Sequence, residues 1–226
     1  MTRFGSLIFC ATLGTGLLAC GSNGNSGTGT GGTSGTGGTP GTSTSIKDPL
    51  ALAPADKAVS GWAVDVENNK GGSAQPMTAA TAKEAQDLID GAASPFYKAP
   101  YTPKEFLWQN YVNMTLAAAP PPLGAHLILY ILQMPSADQA SGLYTALLQE
   151  SEYTGHVWEP TSSPLGTESR IEDTVTAWWI NFHQGVFYVE VMLTPSYGPE
   201  SSGYAVSDPD LKAETLRFAQ AIASQM

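Results

Sequence analysis

The chain has almost no cysteine, little positive charge and no long uninterrupted apolar run. Of its 226 residues two are cysteines, Cys10 and Cys20, while ten are lysine or arginine against twenty aspartate or glutamate, a net charge of −10. Both cysteines precede the region with a core-forming composition, so no disulfide braces that region, although small exported domains often rely on them. The acidic balance repels phosphate backbones and excludes nucleic acid as a partner. No apolar stretch reaches the roughly 20 residues that cross a bilayer. Also missing are a G-x-S-x-G elbow, an S-x-x-K motif and a calcium-loop spacing. His126, His156 and His183 lack the four-residue spacing that puts two ligands on one helical face, and each stands alone in the sequence. Neither a metal nor another cofactor is expected.

What is present begins with a leader and a tether. Met1 to Cys20 carries one basic residue, Arg3, and then the apolar run "FGSLIFCATLGTGLLA", the layout of a secretion leader. Leu17, Leu18, Ala19 and Cys20 resemble the bacterial lipobox. That resemblance implies cleavage before Cys20, acylation of its thiol, and attachment to membrane lipid through chains that contribute about 0.8 kcal/mol per buried methylene. An ordinary leader cleaved near a small residue, with Cys20 an incidental thiol, is the alternative. Gly21 stands where inner-membrane retention uses aspartate, so the resemblance places the protein in the bacterial cell envelope, lipid-anchored at the outer membrane. Residues 21–45 contain no hydrophobic side chain and cannot offset their conformational entropy by burial. They are expected to form a disordered Gly/Ser/Thr-rich linker with a reach on the order of 25 to 30 Å. Residues 46–226 are expected to form a single domain.

Within that domain "VSGWAVDVEN" alternates Trp62, Val64 and Val66 against Ala63, Asp65 and Glu67, the period of a half-buried strand. Thr81 with Glu84 forms a capping box ahead of Ala85, Leu88 and Ile89, and Gly91 ends that helix. "EFLWQNYVNMTLA" predicts a strand with Phe106, Trp108, Val112, Met114 and Leu116 mostly on one side. After a Pro120-Pro121-Pro122 turn, "HLILYILQM" is apolar on both faces and should be central. Ser136 and Gln139 make a second capping box before a helix carrying Ala140, Leu143, Tyr144, Leu147 and Leu148. Tyr153 to Glu172 is loop-rich, with "YTGHVWE" a candidate short strand. A hairpin then turns at Gln184-Gly185, pairing Phe182 with Phe187, Ile180 with Val189 and Trp178 with Val191. A last helix starts at Ser207 or Asp208 and turns Leu211, Leu216, Ala219, Ile222 and Met226 inward. The order predicts an α+β fold, an antiparallel sheet with helices packed mainly on one face. Two strand-strand-helix units, from Glu105 to Glu150 and from Thr174 to Met226, suggest an internal duplication without residue-level repetition.

"LIDGAASPFY", "LYILQMPSADQASGLYTALL" and "WWINFHQGVFYVEVML" before a terminal helix resemble an uncharacterised family of bacterial exported domains, with Ser94 where an acidic residue is common. The resemblance implies the fold and no catalytic residue. Chemistry must therefore come from the residues themselves. The scattered acids, among them Glu150, Glu152, Glu159, Glu168, Glu172, Asp173, Glu200, Asp208 and Asp210, have the pattern of a solvated surface. Glu190 is the only carboxylate inside a clearly patterned strand. The period of two puts Trp179, Asn181, His183, Tyr188, Glu190 and Met192 on one sheet face, either a wet outer face or a shallow recognition surface. Phe96, Tyr97 and Tyr101, set among prolines, are either an exposed patch or a packed loop. The expectation is a non-enzymatic lipoprotein that binds an envelope protein or a small apolar ligand. The alternative is an envelope hydrolase assembled only in the fold, with Glu190 and His183 as its acid-base candidates.

Overall fold

Among the described residues eight strands form an antiparallel sheet: β1 (Ala63–Val64), β2 (Met77–Ala79), β3 (Glu105–Asn113), β4 (Ala125–Gln133), β5 (Glu159–Pro160), β6 (Glu168–Thr174), β7 (Ala177–Gln184) and β8 (Phe187–Pro195). The order across the sheet is β1-β3-β4-β8-β7-β6-β5, with β2 also paired to β3. With helices α1 (Pro49–Leu52), α2 (Ala82–Leu88), α3 (Ala137–Ala146) and α4 (Asp208–Ala223), the fold is α+β. This computed structural model describes residues 47–113, 125–174, 177–195 and 208–226. The leader, Cys20, the 21–45 ribbon, Met114, Leu116, the Pro120-Pro121-Pro122 turn, Glu200 and Ser207 lie outside them. No helix among the described residues is long and apolar enough to cross a membrane.

β4 is central, between β3 and β8, as two apolar faces require. Leu127, Leu129 and Ile131 face one side and Leu132 the other, and all four are fully buried. The β7–β8 hairpin forms with a register two residues from the expected one. Phe182 faces Val189, Ile180 faces Val191 and Trp178 faces Leu193, and Gln184 pairs with Phe187 across a Gly185-Val186 turn. Gly185 has φ +55°, the positive value required at the first centre of a type II′ turn. A two-residue slip preserves the face of every side chain, so the expected faces survive.

Helices cover both faces, a finer layering than the sequence indicates. Leu211, Phe218, Ala219 and Ile222 of α4 and Leu52 of α1 pack on the side of Leu129, Ile180, Phe182 and Val191. Phe218, which the periodicity argument leaves out, is an anchor there, its ring meeting Trp62 at 5.6 Å and Tyr111 at 4.8 Å. Ala85 of α2 and Ala140, Leu143 and Tyr144 of α3 pack on the side of Phe106, Leu132 and Tyr188. The reason is that Phe106, Leu132 and Tyr188 form an apolar patch on that face too, and it needs its own cover. Phe96, in a 3-10 turn at Ser94–Tyr97, packs into the same cluster, so the aromatic-proline stretch is a packed loop. α3 and α4 sit on opposite faces of the same β7–β8 hairpin. A two-fold relating the two strand-strand-helix units across the antiparallel β4–β8 junction would keep both helices on one face, so the units are not a rotational duplicate.

Local signals hold where they are self-contained. The Thr81–Glu84 capping box forms with both of its arms. At α3 only one arm forms: Gln139 donates its backbone N–H to Ser136 Oγ at 3.3 Å, while Gln139 Oε1 is buried without a hydrogen bond. β1 is shorter than the alternation predicts. Val66 is exposed and Asp65 buried, because Asp65 turns inward to accept from Asn68 and to meet His126. In "YTGHVWE" only Glu159 belongs to a strand, paired as β5. β6 lies at the end of the stretch expected to be loop, and it buries Glu172, which is thus no part of a solvated surface.

Candidate functional site

β6, β7, β8, β4 and β3 align their side chains in rows on the α3 face. One row reads His183, Tyr188, Leu132, Phe106; the next Arg170, Asn181, Glu190, Tyr130, Trp108; the next Glu172, Trp179, Met192, Ile128, Asn110. Thr194, His126 and Val112 follow. The five predicted residues Trp179, Asn181, His183, Tyr188 and Glu190 are therefore brought together, but not as an open surface. Asn181, His183, Tyr188 and Glu190 are at most 4% exposed. α3 packs over β7 and β8, and Tyr153 and Trp158 close around Trp179. Openness begins one row lower. Trp179, Met192, Ile128, Thr194, His126 and Val112 are all half-buried, an incompletely covered strip of the sheet, here termed the trough, with a cleft at its His126 end.

The covered rows are polar as well as aromatic. Tyr153 and Tyr188 donate their hydroxyls to Oε2 of Glu190 at 2.8 and 2.9 Å. Burial pushes the Glu190 carboxyl up to about 7, against the opposing pull of the two phenols and Arg170. Burial likewise raises both phenols well above their ordinary value. It lowers His183, whose ring lies 5.1 Å from that of Tyr144. Glu168 approaches His183 Nε2 only to 3.8 Å, a charge attraction too long for a hydrogen bond. Glu190 and His183 share no hydrogen bond, so the acid-base pair proposed from the sequence is not assembled.

Arg170 occupies the middle of this layer at 5% exposure, its guanidinium 4.1 Å from the Tyr144 ring centre and 4.9 Å from that of Trp158. Of the twelve buried side-chain atoms without a hydrogen-bond partner among the described residues, eight belong to Trp158, Arg170, Glu172, Trp179, Asn181 and His183. Native interiors hold few such atoms, and a concentration of them marks a place where water or a ligand belongs.

Both ends of the trough carry an imidazole backed by a carboxylate, so the histidines do not stand alone in the fold. His126 Nδ1 lies 3.0 Å from Asp65 Oδ2, and Asp65 is fixed by Asn68 N–H at 3.2 Å and Asn68 Nδ2 at 2.6 Å. That leaves His126 Nε2 available to a cleft of about 300 Å³ lined by Asp65, Asn68, Asn110, Ile128 and Thr194. At the other end His156 Nδ1 meets Glu172 Oε1 at 2.5 Å, and its ring stacks on Trp179 at 5.9 Å. No group of three or more His, Cys, Asp or Glu side chains among the described residues is placed to hold a metal ion.

Sequence reasoning missed Arg170, Asp65, Glu172 and Tyr153. No local pattern singles them out: Asp65 falls on the polar side of the Trp62–Glu67 alternation, and Arg170 lies between Glu168 and Glu172, all three charged and at alternate positions of one strand. No protein-family model, curated protein sequence or solved structure matches the chain.

Proposed function

We propose that the protein is a lipid-anchored component of the bacterial cell envelope, tethered through Cys20 and residues 21–45, whose folded domain binds a small apolar ligand without transforming it. The trough carries this reading. Ile128, Met192 and Trp179 leave apolar surface half-exposed on one sheet face, while the corresponding side chains of the other face are buried under α4. An apolar floor with a few fixed polar groups at its rim, here His126 and His156, is the usual form of a small-ligand site. The lipobox resemblance supports the anchor. Replacing Cys20 with alanine should stop incorporation of labelled palmitate; continued labelling would contradict the anchor. For the binding site, the mature protein should bind the neutral fluorophore 1-aminoanthracene, and Met192→Glu should weaken binding by about tenfold or more, since a charge cannot be buried against the ligand. Undiminished binding by Met192→Glu would contradict the trough. An envelope protein retained by the wild type and lost from Met192→Glu would identify a protein occupant instead.

The Asp65–His126 pair favours a second reading, hydrolysis of envelope material. A carboxylate on Nδ1 orients the ring with Nε2 as proton acceptor beside an open cleft. Thr194 is its direct cross-strand neighbour. Ester or amide turnover by purified protein that disappears in His126→Gln would establish this reading over simple binding.

A further inference from the structure

Arg170 and Arg217 present the same chemical edge in opposite conditions. Arg217 Nε and Nη2 lie side by side and hold the Glu214 carboxylate through both oxygens, at 3.0 and 2.5 Å. Arg170 Nε and Nη2, the corresponding edge, are buried and have no hydrogen-bond partner, and no carboxylate among the described residues forms an ion pair with them. Of its neighbours, Glu190 accepts from Tyr153 and Tyr188, and Glu172 holds His156 through Oε1 while its Oε2 is itself buried and unpaired, not bonded to Arg170. A buried guanidinium without an anion is strongly unfavourable. Two parallel N–H groups match the two oxygens of a carboxylate.

We propose that the Nε/Nη2 edge of Arg170 receives the carboxylate of an amphipathic ligand whose apolar body lies over Trp179, Met192 and Ile128, which makes the ligand an apolar monocarboxylic acid. This rests on the trough as binding site and adds the chemical class of its occupant. Three observations join the two parts. Asn181, Arg170's cross-strand partner on β7, keeps both amide atoms buried and unpaired, offering a further donor and acceptor to the same headgroup. Trp158 touches both regions, its ring 4.9 Å from the Arg170 guanidinium and 6.4 Å from Trp179. It is half-buried on a segment without regular structure, and a headgroup reaching Arg170 displaces it. The charge is also complementary in a specific sense: among the described residues no carboxylate lies within ion-pair distance of Arg170, and a single ligand carboxylate supplies one.

The test uses the full mature protein and competition against bound 1-aminoanthracene, with dodecanoate and dodecanol as probes of equal chain length. Dodecanoate should displace the fluorophore at a concentration at least about tenfold lower than dodecanol, the margin of one charge-assisted hydrogen-bonded pair. R170K keeps the charge without the planar fork, and R170Q removes both. In each the preference for the acid should fall below about twofold while dodecanol binds as before. Circular dichroism checks that the variants fold, and the wild-type comparison of acid with alcohol decides the question if they do not. Equal potency of acid and alcohol in the wild type would overturn the carboxylate site, meaning that water satisfies Arg170, and would leave the trough standing. No binding of the fluorophore or of either probe would overturn the trough itself.

Discussion

The two faces of the sheet are built from the same strands and differ in almost everything else. On the α4 face, Leu107, Leu129, Ile180, Phe182, Val189 and Val191 are all buried, with Gln109 a polar exception whose Oε1 is unpaired, as is Nε1 of Trp178. On the α3 face, the strands contribute Arg170, Asn181, His183 and Glu190 to the covered part and half-exposed Ile128, Met192 and Trp179 to the rest. One face is thus a conventional core, in which area removed from water stabilises the fold. The other holds most of the unpaired polar atoms together with uncovered apolar surface, both of which cost stability.

Substitutions should separate the faces in proportion. Phe182→Ala, in the closed core, should destabilise by about 3–5 kcal/mol in urea unfolding, and Trp178→Ala by a similar amount; a loss under 1 kcal/mol would mean that face is not the core. Next in size is an effect of opposite sign at Glu190. Its carboxyl is raised from 4.5 to about 7 by burial, so the folded chain holds the proton more tightly than the unfolded chain does. No cost arises below about pH 4.5, stability drains as pH climbs from there to about 7, and above that the full cost of up to about 3 kcal/mol persists. Glu190→Gln should therefore be more stable than the wild type at pH 8 and equal to it near pH 4. A wild-type advantage at pH 8 would show that the ionised carboxylate is stabilising. Trp179→Ala should cost about 1–3 kcal/mol, less than Trp178→Ala, because the ring is half-buried yet meets Tyr153, His156 and Trp158. Equal losses at the two tryptophans would erase the distinction between faces. Smallest of all, His126→Ala should change stability by less than about 1 kcal/mol, since the His126 ring is only half-buried and Asp65 keeps its bonds from Asn68 without it. A larger loss would recast the Asp65–His126 pair as structural.

What the sequence reveals divides along the same line. The closed face was legible because it depends on period and parity alone: "WWINF" and "VFYVEVML" alternate cleanly, and even the misplaced turn at Gln184-Gly185 left Trp178, Ile180, Phe182, Val189 and Val191 on their correct side. Capping at Thr81 and Ser136 was legible because those bonds span three residues. The α3 face was legible only as a set of residues sharing a side. Its cover was not, because α3 and the Tyr153–Trp158 segment return to it by long-range packing that no local pattern encodes. β6 was hidden by its composition: Glu168, Arg170 and Glu172 occupy the alternate positions where a buried strand would ordinarily place apolar residues. The carboxylate behind His126 lies 61 residues away and the one behind His156 lies 16 away, so only the fold could pair them.

Thiol accessibility compares the faces directly. In a Cys10→Ser, Cys20→Ser background, single cysteines at Ile128 and at Val191 would sit on opposite sides of the central strand pair. If the trough is open, the Ile128→Cys thiol reacts with maleimide in the folded protein and is shielded by added dodecanoate, while the Val191→Cys thiol reacts only as the domain unfolds. Equal protection at both positions would mean that both faces are sealed and that no site of this kind exists.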